Sequence, residues 1–123
     1  MSTLKLDTIA SRDGTESTDV TNVINGSAKA WVNFDGTGTV AIRESFNVSS
    51  ITDNYTGNYY VNFTTSMSDV NYATSVNHGA YGSASYRGFD IVFNQETTRV
   101  RVETRGQSGP EIDSPLVCVS VFR

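Results

Sequence analysis

Residues 45–63 read SFNVSSITDNYTGNYYVNF, and the alternation in this stretch decides the fold class of the chain. Apolar residues take every second position on both sides of DNYTGN, a segment rich in residues that favour turns. The in-phase apolar residues are Phe46 and Val48 in the first run and Tyr59, Val61 and Phe63 in the second. Ile51 falls out of phase, which indicates a bulge at Ser49–Ser50. The stretch therefore predicts a β-hairpin.

The rest of the chain continues this pattern. From residue 28 onward, about eight alternating runs recur roughly every ten residues, with turn residues between them. In one turn, DGTG at 35–38, Gly36 is expected to take a positive φ. The last run, PLVCVSVFR at 115–123, is apolar on both faces and is expected to be a central strand or part of an interface. We predict an all-β fold, an antiparallel β-sandwich of jelly-roll-like type.

The composition supports the same fold class. The chain holds 15 Ser, 15 Thr, 10 Asn and 10 Gly among its 123 residues. Gly and Asn are unfavourable inside helices, whereas Thr favours strands. Hydrophobic residues make up 37% of the chain and aromatic residues 11%, which is too many for a disordered segment. A chain of this length is expected to form one domain.

Residues 1–27 differ from the rest of the chain. Leu4 and Leu6 alternate with charged residues, which is consistent with one short strand, and the segment 11–22 is polar with no apolar period. We therefore predict an extended N-terminal arm over 1–27 and a head domain over 28–123. An arm with an apolar edge needs a neighbour, either the head domain or another subunit.

The charge pattern argues against a nucleic-acid partner. The formal net charge is -4, and the basic residues are spread thinly along the chain. Arg99, Arg101 and Arg105 come closest to a basic stripe, but Glu96 and Glu103 interrupt them. A nucleic-acid surface requires clustered Lys and Arg, so nucleic acid is not expected among the partners.

The residues that usually carry catalysis are sparse. His78 is the only histidine, which excludes zinc sites built on His pairs, and no G-x-S-x-G motif is present. Cys118, the only cysteine, lies between Val117 and Val119 and is interpreted as a core thiol. Most acidic residues lie in or beside turns, and nothing in the sequence pairs two of them. We expect no enzyme activity, no metal ion and no cofactor.

The N-terminus indicates where the chain is made. MSTLKLDTIASRDG at 1–14 contains no apolar segment long enough for a signal peptide or a membrane span. We therefore expect a protein of a reducing compartment, or one that leaves the cell by a route such as lysis. The N-x-[ST] triplets of the chain are interpreted as a result of its composition and not as glycosylation sites.

A binding surface is better supported than a catalytic site. Sugars are recognised by aromatic rings that stack on them and by short polar side chains that bond their hydroxyls. The loop NHGAYGSASYRG at 77–88 holds both kinds of residue and is long for a small sandwich, as functional loops often are. For His78 a structural role is the alternative, whereas Trp31, Tyr59 and Tyr60 are interpreted mainly as packing residues. The candidate receptor-binding residues of the loop are Asn77, His78, Tyr81, Tyr86 and Arg87.

Four segments carry a resemblance to a known family. They are LKLDTI at 4–9, INGSAKAWVNF at 24–34, the stretch 45–63 and VCVSVF at 117–122. Together they resemble a domain found repeatedly in tail-fibre and related structural proteins of bacteriophages, marine phages among them. The loop at 77–88 matches no part of that pattern.

The resemblance implies a homotrimeric virion protein at the distal end of a tail fibre. Such a protein would bind a host-surface receptor, a glycan or an outer-membrane receptor, as well as other virion tail proteins, and release by lysis would need no signal peptide. The resemblance also implies that 45–63 builds the scaffold and the subunit seam, whereas the loop at 77–88 carries recognition. The residues expected at the seam are Leu4, Leu6, Ile9, Trp31 and Phe122.

Two other functions stay open at this point. The first is a structural adaptor or capsid-decoration protein that binds another virion component through its arm. The second is a glycan-degrading depolymerase, which would require clustered carboxylates.

Overall fold

A computed structural model of the chain describes residues 1–79 and 88–123. Within these ranges the chain forms strands and one short helix, α1 (Val20–Gly26). The strands are β1 (Thr8–Ala10), β2 (Ser17–Asp19), β3 (Ala28–Asp35), β4 (Ala41–Phe46), β5 (Val48–Tyr55), β6 (Asn58–Phe63), β7 (Ala73–Gly79), β8 (Gly88–Gln95), β9 (Arg99–Gly106) and β10 (Leu116–Phe122).

Two four-stranded sheets share one core. The strand order is β4-β3-β10-β7 in the first sheet and β5-β6-β9-β8 in the second. All neighbouring strands in both sheets run antiparallel, so the predicted all-β, antiparallel fold is confirmed. The last strand, β10, is central in the first sheet, as its apolar residues predicted. The core consists of Ala30, Val32, Phe34, Val48, Tyr59, Val61, Phe63, Met67, Tyr72, Val100, Val102, Val117, Val119 and Val121.

The predicted hairpin is formed by β5 and β6. The register shifts between Val48 and Ser50, which confirms the bulge, and it shifts again between Asp53 and Tyr55. The side chains of Tyr59, Val61 and Phe63 are all buried, as the alternation predicted. The hairpin therefore gives the second sheet two of its four strands and much of its inner face.

The chain passes from the first sheet to the second at Asn47. This residue has φ 54° and separates β4 from β5. Its Nδ2 donates to the carbonyl oxygens of Lys29 and Thr65, at 3.0 and 3.1 Å, and its Oδ1 accepts from the Thr65 N–H at 2.7 Å. The prediction that Phe46 and Val48 share a face is therefore wrong. Phe46 stays on the outer face of the first sheet, whereas Val48 joins the core.

The N-terminal arm is not extended throughout, contrary to the prediction. Strands β1 and β2 pair as a small antiparallel ribbon, and Gly14 in the connection has φ 74°. The Asp13 carboxylate accepts hydrogen bonds from the Ser11 hydroxyl and the Thr15 N–H, which lower the pKa of Asp13 to about 2. Helix α1 follows directly. Its sequence, VTNVING, consists mostly of weak helix formers, so the pattern carried no helix signal.

The turn between β5 and β6 is packed against the segment 111–114. The N–H of Gly57 donates to Asp113 Oδ1 at 2.7 Å, and its carbonyl accepts from the Thr104 N–H at 2.8 Å. Gly57 has φ 66°, and a Cβ at this position would lie 2.6 Å from the Thr104 carbonyl oxygen and 2.7 Å from that of Ile112. No side chain fits there without moving backbone atoms.

The turn at 35–38 places its positive φ differently from the prediction. Gly38, not Gly36, takes the left-handed conformation, with φ 59°. Gly36 instead gives room to the Tyr59 hydroxyl, which a Cβ at position 36 would overlap. The Asp35 carboxylate accepts from the Thr37 N–H at 2.9 Å and so stabilises the turn locally.

We predict that Gly57→Ala destabilises the fold far more than Gly38→Ala does. Both glycines have a positive φ, which costs an alanine about 1 kcal/mol or more. A Cβ at Gly38 meets no atom within 4 Å, whereas at Gly57 it meets backbone, which adds about 2 kcal/mol of overpacking. Urea unfolding of the two variants measures the difference. Equal losses of unfolding free energy would show that the turn can move away from the segment 111–114.

Candidate functional site

The structure describes two of the five predicted receptor-binding residues. Asn77 is exposed on the outer face of β7, where it pairs with Cys118 of β10. The His78 side chain is only 2% exposed, and its Nδ1 lies 2.5 Å from Asp90 Oδ1. Its Nε2 is buried and has no hydrogen-bond partner among the residues that the structure describes. The other three, Tyr81, Tyr86 and Arg87, lie outside the described residues.

The His78–Asp90 pair joins the two sheets. His78 belongs to β7 at the edge of the first sheet, and Asp90 belongs to β8 at the edge of the second. Burial of His78 argues against its direct contact with a receptor and favours the structural alternative. A receptor-binding role for the remaining residues of the loop stays a prediction.

The five predicted interface residues are all exposed apolar side chains. Leu4, Leu6 and Ile9 lie in the arm, and Leu4 is 81% exposed. Trp31 and Phe122 lie in the first sheet and are each 38% exposed. The chain itself therefore leaves all five available to a neighbour.

The aromatic patch on the outer face of the first sheet consists of Trp31, Phe46 and Phe122. Trp31 pairs directly with Phe46 across β3 and β4, so their side chains share a face. Trp31 also pairs with Ser120, and Phe122 lies on the same face of β10 as Ser120, beyond a register shift between Val121 and Phe122. Phe46, at 53% exposed, is the most exposed of the three and was missed by the sequence analysis.

The outer face of the second sheet has a different character. Cross-strand pairing forms two rows of polar side chains there, one of Ser50, Asn62 and Arg99 and one of Thr52, Tyr60 and Arg101. These six residues are called the donor strip below. The Asn62 Nδ2 lies 3.1 Å from Ser50 Oγ and 2.9 Å from Thr52 Oγ1. The Arg99 guanidinium lies over the Tyr60 ring, 3.9 Å from its centroid.

A buried carboxylate organises the arginines of β9. The Glu103 side chain is 3% exposed, and its two oxygens lie 3.2 Å from Arg101 Nη2 and 2.7 Å from Arg105 Nη2. The Asn58 Nδ2 donates to the same carboxylate at 2.6 Å. Hydrogen bonding to Glu103 raises the pKa of the Arg105 guanidinium. The acids that interrupt the basic residues in the sequence therefore form ion pairs with them in the fold.

The turn segment DNYTGN belongs to this network. The Asn54 Nδ2 donates to Asn58 Oδ1 at 2.8 Å, and Arg101 Nη2 donates to the Tyr55 hydroxyl at 2.7 Å. Arg101 Nε donates to Asn58 Oδ1 at 3.1 Å. These contacts agree with the interpretation of the stretch 45–63 as scaffold.

Cys118 does not lie in the core, contrary to the interpretation from the sequence. Its neighbours Val117 and Val119 point inward, so its own side chain points to the outer face of β10. The thiol is free and partly buried, and this burial raises its pKa. A raised thiol pKa lowers the fraction of the nucleophilic thiolate at neutral pH.

We predict that Glu103→Gln costs about 2 kcal/mol of unfolding free energy, because it removes the charge between two partly buried guanidinium groups. Glu96→Gln is the matched control, since Glu96 forms an exposed ion pair with Arg99 and such pairs contribute about 0–1 kcal/mol. Chemical denaturation of both variants at pH 7 compares them. If Glu103→Gln were as stable as Glu96→Gln, the network would not contribute to stability.

The described residues hold no candidate metal site and no candidate membrane-spanning helix. Among the described residues, no group of three or more His, Cys, Asp or Glu side chains is placed to hold a metal ion. No helix within 1–79 or 88–123 is long and apolar enough to cross a membrane.

No protein-family model, no curated protein and no solved structure matches the chain.

Proposed function

We propose that the chain is a receptor-binding domain of a bacteriophage tail fibre, in which three copies associate and attach the virion to a host-surface receptor. The receptor is proposed to be a polysaccharide, and other virion tail proteins are further partners. The sequence resemblance supports this proposal. The observation that carries it is the concentration of exposed apolar side chains in the arm and in the aromatic patch.

The aromatic patch is suited to a protein partner. Large aromatic side chains are enriched at protein interfaces, because each buries much apolar area at a small cost in conformational entropy. Beside the patch runs a groove that a neighbouring chain can enter. It is lined by Ala28, Lys29, Phe46, Asn47, Thr64 and Thr65. A second copy of the chain is the proposed occupant, since most oligomers are symmetric assemblies of one chain.

The arm supports the same assembly. Leu4, Leu6 and Ile9 are exposed although they are apolar, and the short ribbon of β1 and β2 buries none of its residues. An arm of this kind gains stability when a neighbouring subunit covers its apolar side chains. The finer description of the head as jelly-roll-like stays part of this proposal, supported by the pairing of its first and last strands, β3 and β10.

The alternative function, a structural adaptor or capsid-decoration protein, uses the same exposed residues. It differs in the partner, which would be another virion protein in place of a host receptor. Attachment to cells therefore distinguishes the two functions. Neither function requires catalysis or a cofactor.

We predict that the purified full chain has the mass of a trimer and adsorbs to cells of at least one strain in a panel of marine bacteria. The double variant Trp31→Ser/Phe122→Ser is expected to lose both properties, because it removes two rings of the aromatic patch. Light scattering after size-exclusion chromatography measures the mass, and fluorescently labelled protein measures adsorption.

Phe89→Ser is the matched control, because Phe89 is an exposed aromatic residue of β8 in the second sheet, and it should leave the trimer mass unchanged. A monomeric wild-type chain that adsorbs to no strain would contradict the proposed function. A trimer that adsorbs to no strain but binds another virion protein would favour the adaptor.

A further inference from the structure

We propose that the donor strip on the outer face of the second sheet binds an acidic polysaccharide, and that it does so by contacting the carboxylate groups of the polysaccharide. The inference rests on the proposed receptor-binding function and places the glycan on a sheet face in addition to the loop at 77–88. The chemistry of the strip, its electrostatics and its shape each support this assignment.

Two hydroxyl groups of the strip are held in place by Asn62, and each keeps its hydrogen for donation to a ligand. Ser50 Oγ and Thr52 Oγ1 each accept a hydrogen bond from the Asn62 side-chain amide. A hydroxyl that accepts still has one hydrogen to donate. Neither hydroxyl donates to any acceptor in the described part of the chain, and both residues are exposed. They therefore present two fixed donors to solvent.

The arginines add charged donors to the same surface. Arg99 uses Nε to bind Glu96 Oε2 at 3.1 Å, which leaves both of its terminal nitrogens without an acceptor within the described ranges. The Tyr60 ring beneath the guanidinium holds it flat on the sheet. Arg101 lies over the Phe93 ring, 4.9 Å from its centroid, and contributes mainly charge, because its Nε and Nη2 already bind Asn58, Tyr55 and Glu103. Guanidinium groups fixed in this manner are suited to bind carboxylates.

The exposed charge of the strip is positive although the chain as a whole is negative. Glu103, the acid nearest to Arg101, is 3% exposed and lies beneath the guanidinium groups. The Glu96 carboxylate is exposed, lies before the start of β9 and forms an ion pair with Arg99. Donors and cations thus face outward without an exposed acid among the six residues of the strip. A ligand rich in acceptors and negative charge complements this surface.

The shape of the strip favours an extended polymer. Its two rows cross three strands, β5, β6 and β9, and neighbouring strands lie about 4.8 Å apart, so the strip is roughly 10 Å wide. It is a sheet face and not a closed cavity. A nucleic acid is less suited, because its surface requires clustered Lys and Arg, whereas the strip holds two arginines.

The experiment uses sodium alginate, a polymer of uronic acids, as the probe, with neutral dextran beside it. Affinity electrophoresis and calorimetry of the full chain at low salt are expected to detect binding to alginate and none to dextran. Arg99→Gln should weaken alginate binding about tenfold, since it removes charged hydrogen bonds, and Thr52→Val about fivefold, since it removes one neutral donor.

Arg12→Gln is the matched control for net charge, because Arg12 is an exposed arginine of the arm. It should leave the affinity unchanged, and all variants should unfold at the same urea concentration as the wild type. The inference is overturned if the wild type does not bind alginate or binds dextran equally. It is also overturned if Arg12→Gln weakens binding as much as Arg99→Gln, or if poly(dT) binds more tightly than alginate in an Arg99-dependent manner.

Failure of this inference is distinguishable from failure of the proposed function. If the chain is a trimer that adsorbs to cells and Arg99→Gln adsorbs equally well, the donor strip is not the receptor site but the attachment function stands. If alginate binding depends on Arg99 while the wild-type chain is monomeric and adsorbs to no strain, the glycan site stands and the tail-fibre function fails.

Discussion

One carboxylate oxygen binds both the turn that joins β5 and β6 and the core tyrosine that packs against the first sheet. Asp113 Oδ1 accepts from the Gly57 N–H at 2.7 Å and lies 2.8 Å from the Tyr59 hydroxyl. The Tyr59 ring packs edge-on against Phe34 of the first sheet, with 5.1 Å between the ring centroids. Burial of Tyr59 and the neighbouring carboxylate raise the pKa of its hydroxyl, so the phenol stays neutral and keeps the hydrogen that it donates to Asp113. This contact helps to fix the position of the hairpin relative to the first sheet.

The same core leaves the two outer faces free to differ. Side chains alternate between the faces of a strand, so the residues between core positions are not constrained by packing. In the first sheet these positions include Trp31 and Phe122, whereas in the second they include Tyr60 and Arg99. The outer face of the first sheet therefore carries an aromatic patch suited to a protein partner, whereas that of the second sheet is polar and suited to a hydrophilic ligand. A two-layer sheet protein can in this way carry a binding surface on each outer face without any change to the core that the two sheets share.

The fold class could be predicted because alternation is a local property, and the stretch 45–63 even revealed its bulge. Two kinds of feature could not. The reversal at Asn47 needs a left-handed residue, and asparagine adopts that conformation too seldom to signal it alone. The donor strip depends on the pairing of β6 with β9, which brings Arg99 over Tyr60 from far along the chain. Alternation does place Tyr60 on the face opposite to that of Tyr59, but it does not indicate which strand lies beside β6.

The edges of the two sheets are joined by side chains near both ends of β7 and β8. His78 meets Asp90, and the Thr74 hydroxyl donates to Gln95 Oε1 at 3.1 Å. The Gln95 Nε2 donates in turn to the Tyr72 carbonyl at 2.8 Å. The His78–Asp90 contact holds the end of β7 beside the start of β8. A foreign peptide could therefore be inserted between Gly79 and Gly88, because the two strands that would flank it are already joined by side-chain contacts.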